Sequence, residues 1–144
     1  MNVLIETLKN SDTRTRYDEN TFQRKESFKV SSPYPYAYGF IIGSNKNDED
    51  CLDCYVLTNQ ILTEGKPIAC EPLFMIEVFE GSEEDHKVIM KTVNYEVDDE
   101  ELVENTIKAF ITDIFKENPE VTISFGRKTG KEETINFIKS HMRE

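Results

Sequence analysis

Apolar and polar positions alternate in short runs through the first two thirds of the chain, then change period. Asn2 to Leu8 reads as a first strand, with Val3 and Ile5 alternating and Leu4 widening the apolar run. Lys9 to Asn20 is polar and turn-rich, and Thr21 to Val30, with Phe22, Phe28 and Val30 apolar, reads as an edge strand. Prolines at 33 and 35 disfavour helix before them. Further strands are predicted at Tyr36 to Ile42, Cys54 to Thr58, Ile68 to Cys70, Leu73 to Phe79 and Lys87 to Val93. Polar loops part them at Ser44 to Asp53, at Glu64 to Pro67 and around Gly81. From Asp99 to Glu117 the apolar residues Leu102, Val103, Ile107, Phe110, Ile111, Ile114 and Phe115 fall at helical spacing, with Asp98 and Glu101 as a capping pair and Asn118-Pro119 as the stop. Val121 to Phe125 reads as a short strand, Gly126 to Gly130 as a loop, and Glu132 to Met142 as a last helix. Short strands followed by helices predict a single α+β domain over residues 1–144, built around a small barrel or curled sheet.

Composition narrows the function. With 144 residues, 38% hydrophobic, the chain can bury one core. No apolar run approaches the ~20 residues that span a bilayer. The start, Met1 to Glu6, lacks the basic and apolar regions of a signal peptide, so a soluble, cytoplasmic protein with no membrane partner is expected. Net charge is −11, which argues against nucleic acid as a partner and against an OB-type nucleic-acid binder, because phosphate backbones want a basic surface. Residues 45–104 alone carry −13, while the segments 1–29 and 105–144 carry +1 each. Either solvation or a divalent metal accounts for that concentration of acid. Cys51, Cys54 and Cys70 form an odd set, which fits a reducing compartment better than a disulfide framework.

Four stretches carry candidate chemistry. Asp48, Asp50 and Asp53 stand at i, i+2 and i+5; in extended chain the first two share a side, and a turn at Cys51-Leu52 returns the third to them. Three clustered carboxylates repel unless a cation neutralises them, and Mg²⁺ prefers such oxygens; the alternative is an acidic surface loop. Glu80 to Lys87 is a second acidic loop with a lysine at its end, open to the same two readings. Tyr34, Tyr36 and Tyr38 alternate onto one face, either as core or with a phenol hydroxyl aimed at phosphate. Cys51-Leu52-Asp53-Cys54 is a C-x-x-C interrupted by aspartate; buried thiols suit it better than zinc. His86 and His141 are expected at the surface.

Together these residues resemble the family I soluble inorganic pyrophosphatases. Tyr34-Pro35-Tyr36-Ala37-Tyr38-Gly39-Phe40-Ile41 matches the family's Y-P-x-x-Y-G-[FY]-I, and Asp48-Glu49-Asp50-Cys51-Leu52-Asp53 matches D-G-D-P-x-D. Glu80 to Lys87 is similar to D-E-x-G-E-D-x-K, and Phe115-Lys116 to a Tyr-Lys pair near a helix end. The resemblance implies an OB-like five-stranded β-barrel with additional strands and two C-terminal helices, acting as a homo-oligomer. It implies several Mg²⁺ ions, or Mn²⁺, held at the barrel mouth by Asp48, Asp53, Asp85, Glu80 and Glu6. Asp50 would be the base for an attacking water, with Tyr38 and Lys87 beside it, and Arg14, Tyr38, Lys87 and Lys116 would hold pyrophosphate or phosphate. The chain departs from the pattern in five ways. Glu80 replaces Asp, Cys51 replaces Pro and Phe115 replaces Tyr; the family's K-Y-E maps onto Arg14-Thr15-Arg16; and the family's upstream Arg falls near Glu26, with Arg24 and Lys25 beside it. Two activities are therefore carried forward: Mg²⁺-dependent hydrolysis of pyrophosphate, and a weakened relative that only binds metal or phosphate or serves as an interaction module.

Overall fold

A computed structural model describes residues 1–144. Its elements, in chain order, are β1 (Asn2–Thr7), β2 (Thr13–Tyr17), β3 (Arg24–Lys29), β4 (Ala37–Ile41), a 3-10 turn at Lys46–Asp48, β5 (Asp53–Leu57), β6 (Pro67–Ala69), β7 (Glu71–Glu80), β8 (Glu83–Glu84), β9 (Lys87–Lys91), α1 (Glu100–Ile114), β10 (Ile123–Thr129) and α2 (Lys131–His141). The main sheet runs β10-β7-β9-β5-β4-β1-β6, with β8 pairing β7, and β2 and β3 form a separate hairpin. The architecture is α+β and OB-like, with β7, β9, β5, β4 and β1 as its five consecutive central strands.

Period-2 alternation gives this sheet two apolar faces. Tyr55, Leu57, Phe74, Ile76, Val78 and Ile89 pack on one side with Val103, Ile107, Phe110 and Ile111 of α1. Cys54, Val56, Met75, Val88 and Met90 pack on the other with Ile138 of α2. Both faces are covered, so the central strands are near-continuous apolar runs. One pairing positions the chemistry: β5 and β9 run parallel with Asp53 opposite Lys87, which sets the acidic loop's last aspartate beside the second acidic loop's lysine.

Four local expectations are corrected. Thr13–Tyr17, taken as polar loop, is a strand paired with β3; the turn between them is closed by Asp18 Oδ1, which accepts from the amides of Asn20 and Thr21 at 2.9 and 2.8 Å, and places Phe22 at φ +61° outside any strand. β10 continues through the segment expected as a loop, because Gly126 lets it pass against Glu77: a Cβ there would lie 2.6 Å from Glu77 Oε1. The α1 cap is Asp99, whose side chain accepts from the Leu102 amide at 3.0 Å, rather than Asp98. Asn47 and Asp48 both have positive φ, 61° and 59°, so the acidic loop is coiled there and the extended-chain argument that set Asp48 beside Asp50 fails.

Candidate active site

The ammonium of Lys87 is the centre of the site. Lys87 opens β9, is 7% exposed, and donates to Tyr38 Oη at 2.7 Å, Asp53 Oδ2 at 2.9 Å and Asp85 Oδ1 at 3.1 Å. A lysine has three N–H donors, and these three acceptors use all of them. Burial works against the charge on Lys87, but Asp53 and Asp85 outweigh it and raise its pKa above the ordinary lysine value. Burial pushes Asp53 up; the Lys87 ammonium outweighs that and holds its carboxyl below the usual range. Asp85 ends on the other side: burial raises it, and the neighbouring Asp53 charge adds to the rise against the pull of Lys87. One cation therefore serves two carboxylates and neutralises them incompletely.

Arg14 is the second cation. Its guanidinium lies 4.8 Å over the Tyr38 ring and bridges Glu6 at 3.4 Å. Glu6 is carried by the bulged end of β1 and accepts the Tyr17 amide at 2.9 Å through its other oxygen, yet burial still raises its pKa. Tyr38, enclosed by Tyr34 at 5.4 Å and Tyr55 at 4.8 Å, has its pKa pushed well above the ordinary phenol value by burial, so it stays a neutral hydroxyl.

Three cavities meet here, of about 280, 670 and 180 Å³. Arg14 and Asp53 border all of them. Glu6, Asp48 and Asp50 face the first, Asp50, Glu80 and Asp85 the second, and Tyr38, Asp85 and Lys87 the third. The structure thus gathers Glu6, Arg14, Tyr38, Asp50, Asp53, Glu80, Asp85 and Lys87 around one confluence. Asp48 lies at its edge, with a side chain 93% exposed and paired with Arg143 at 3.0 Å. Lys116 lines none of these cavities; it is 70% exposed and pairs with Asp113 at 3.5 Å, while Phe115 borders the third cavity with a ring that has no hydroxyl.

The donor set fits a divalent cation. Its oxygens are hard carboxylates, and burial raises the pKa of Glu6, Glu80 and Asp85, which leaves charge uncompensated. No three carboxylate, imidazole or thiolate groups close on one point. The expected convergence of Asp48, Asp50, Asp53, Glu80 and Asp85 is therefore a matter of shared cavities rather than one tight cluster. Such spacing suits an ion that keeps several waters.

Other residues were not singled out by the sequence. Glu19 accepts the Cys51 amide at 2.9 Å and borders both larger cavities. Arg143 reaches the acidic loop from beyond α2, donating through Nε to Asn45 Oδ1 at 2.8 Å. No local pattern marks either one, because both come from segments far off in sequence. His86, expected at the surface, is enclosed: its side chain is 7% exposed, its Nδ1 lies 3.0 Å from the Val78 amide nitrogen, and its ring sits between Phe79 and Phe137. That enclosure fixes the turn from Asp85 to Lys87. The three thiols are free and buried, and burial pushes Cys51 up to about 12 and Cys70 up to about 11, so they are unreactive packing groups.

Comparison with known proteins follows the same line. A family model described as inorganic pyrophosphatase matches residues 3–144. The inorganic pyrophosphatase of Synechocystis sp. is 34% identical over 91 residues, which are 62% of this chain and 54% of that protein. The inorganic pyrophosphatase of Nanoarchaeum equitans is 27% identical over 145 residues, 94% of this chain and 91% of its own length. The chain spans about half the length of most of the curated relatives it matches. Among solved structures, the inorganic pyrophosphatase of Helicobacter pylori superimposes with a TM-score of 0.82 at 18% identity, covering 98% of this chain and 90% of that one.

Proposed function

The chain belongs to the inorganic pyrophosphatase family, and from that premise we propose that residues 1–144 act as one domain that hydrolyses inorganic pyrophosphate to two orthophosphates with several Mg²⁺ ions, Mn²⁺ serving in their place. The observation that carries this reading is the confluence: an aspartate and an arginine, Asp53 and Arg14, border all three cavities, and the lysine between Asp53 and Asp85 has every donor engaged. Such a site binds a highly charged anion only with added cations, since carboxylates outnumber its basic groups.

Glu6, Asp53, Glu80 and Asp85, with Asp48 at the edge, are the oxygens that would hold the ions. When bound, divalent ions neutralise phosphate charge and lower the pKa of an attacking water. Asp50 is exposed at the junction of the two larger cavities, where its carboxylate orients that water and accepts its proton. Arg14, held rigid over Tyr38, supplies fixed positive charge to a phosphate. Tyr38 donates its hydroxyl as a neutral phenol. Lys87 is the cation that Asp53 and Asp85 hold between them; with those carboxylates engaged by a divalent ion, its ammonium would be free to donate to a phosphate oxygen. A cytoplasmic location and a homo-oligomeric assembly belong to the same reading.

A second reading, binding without turnover, is favoured by Lys116 and Phe115: the lysine stands outside the cavities and the phenylalanine has no hydroxyl to offer. Phosphorus NMR separates the two. The hydrolase reading expects the pyrophosphate signal to convert to orthophosphate on addition of protein and Mg²⁺, and not in excess chelator. Line broadening of pyrophosphate without conversion would favour the binding-only reading.

A further inference from the structure

β2 presents two arginines to the site, and only one of them is tied down. Thr15 is buried, with its amide donating to Thr7 Oγ1 at 3.2 Å, so Arg14 and Arg16, at i and i+2, share the opposite face. Both line the 280 and 670 Å³ cavities. Arg14 is enclosed, with 16% of its side chain exposed, a bridge to Glu6 and a ring beneath it. Arg16 is half exposed, and its guanidinium makes one hydrogen bond, to Glu26 at 3.0 Å. Glu26 is the residue directly opposite in the hairpin register and is itself half exposed. An exposed pair of this kind contributes about 0–1 kcal/mol. A multiply charged anion in the adjoining cavity therefore competes with Glu26 for Arg16 at little cost, whereas Arg14 cannot leave without stripping a buried carboxylate of its cation.

The spacing selects the anion. Residues two apart on a strand stand about 7 Å from each other along the backbone. A diphosphate carries charged oxygens at both ends and can engage both guanidinium groups; a single orthophosphate needs one. We propose that Arg16 is a second anion-binding residue of this site, which turns from Glu26 to the outer phosphate of a bound diphosphate while Arg14 stays in place. Glu26 then holds Arg16 in the absence of the anion. The proposal rests on reading the confluence as a pyrophosphate site.

The test is calorimetric binding of imidodiphosphate, a diphosphate analogue with a P–N–P bridge, and of orthophosphate, each with Mg²⁺, to the wild type, Arg16→Ala and Glu26→Gln, with melting curves for all three. Loss of Arg16 should weaken imidodiphosphate about five- to tenfold, the size of one charge-assisted contact at a half-exposed site, and orthophosphate by less. Glu26→Gln should bind imidodiphosphate at least as tightly as the wild type, because it frees Arg16. An ion pair that only braces the hairpin would make the two variants equally harmful, and that result overturns the proposal, as does an Arg16→Ala protein that binds the analogue as the wild type does. Pyrophosphate turnover by the wild type is scored separately. Its absence, with the binding order intact, would remove the hydrolase reading and leave the assignment of Arg16 standing.

Discussion

Lys87 shows what a single residue decides in this protein. Its ammonium holds Asp53 and Asp85 at 2.9 and 3.1 Å; the residue pattern marks it as a lysine closing an acidic run, and the family resemblance adds a phosphate-holding role, but neither gives these two partners. Its burial and its bond to Tyr38, 49 residues away, depend on the parallel pairing of β5 and β9, which no local pattern announces. Lys87→Met should leave two like charges without their cation and destabilise the metal-free protein by about 1–3 kcal/mol at neutral pH. The deficit should shrink in acid as the two carboxylates protonate, which urea melts at neutral and acid pH would check. Asp50→Asn should lower turnover and leave calorimetric Mg²⁺ affinity nearly unchanged, whereas Asp53→Asn should weaken Mg²⁺, because Asp53 borders every cavity and Asp50 stands exposed at a junction. Equal losses of affinity in both would dissolve the separate roles. The departures at Arg16 and Glu26, which in sequence look like two unrelated losses, face each other across one hairpin. That relation is visible only once register is known.

Among the elements, the strands with buried faces were legible from their apolar runs, and of the exposed hairpin β3 was legible as part of the edge strand expected over Thr21 to Val30 while β2 was not. β4, β5, β7 and β9 announce themselves by apolar runs, because burial on both faces demands them. β2 carries no such signal, because it alternates charge with threonine; β3, exposed throughout, falls within the predicted edge strand but begins at Arg24 rather than Thr21. The helix α1 was legible from its 3.6 period, and the error in its cap was one residue, since Asp98 and Asp99 are chemically equal candidates. The bond between β1 and β4 gives a prediction at this scale. Ile5 pairs with Gly39, and a Cβ on Gly39 would lie 1.9 Å from the Leu4 carbonyl oxygen. Gly39→Ala should therefore force the strands apart and cost about 1–3 kcal/mol in denaturant unfolding. Because Tyr38 is the adjacent residue, Lys87 should lose its phenol partner in the same variant.

At the scale of the whole molecule, the charge distribution ties stability to metal. Residues 45–104 carry −13, and within the site Glu6, Glu80 and Asp85 have pKa values raised by burial. An acid whose folded pKa is raised contributes stability below its unfolded pKa and loses it as pH rises through the folded one. Without metal, these three groups should make the protein less stable at neutral pH than just above the ordinary carboxylate pKa values of 3.8 and 4.5. Asp53, whose pKa is lowered, works the other way and loses its contribution as pH falls through its folded value. Mg²⁺ should remove most of the neutral-pH deficit, by about 2.7 kcal/mol at a hundredfold excess over its dissociation constant, and NaCl at matched ionic strength should do much less. Melting curves at two pH values with each salt check this. The concentration of acid in residues 45–104 left solvation and a metal site both open, and its division among adjoining cavities, with Arg14 and Lys87 between, follows from long-range packing. The most direct test of the account is the rate of orthophosphate release from pyrophosphate as a function of free Mg²⁺, for the wild type and Asp53→Asn. The expected result is no release in excess chelator, a saturable rise with Mg²⁺ that NaCl does not reproduce, and a demand for more Mg²⁺ in the variant. Release that persists in chelator, or an identical Mg²⁺ dependence in the two proteins, would contradict it.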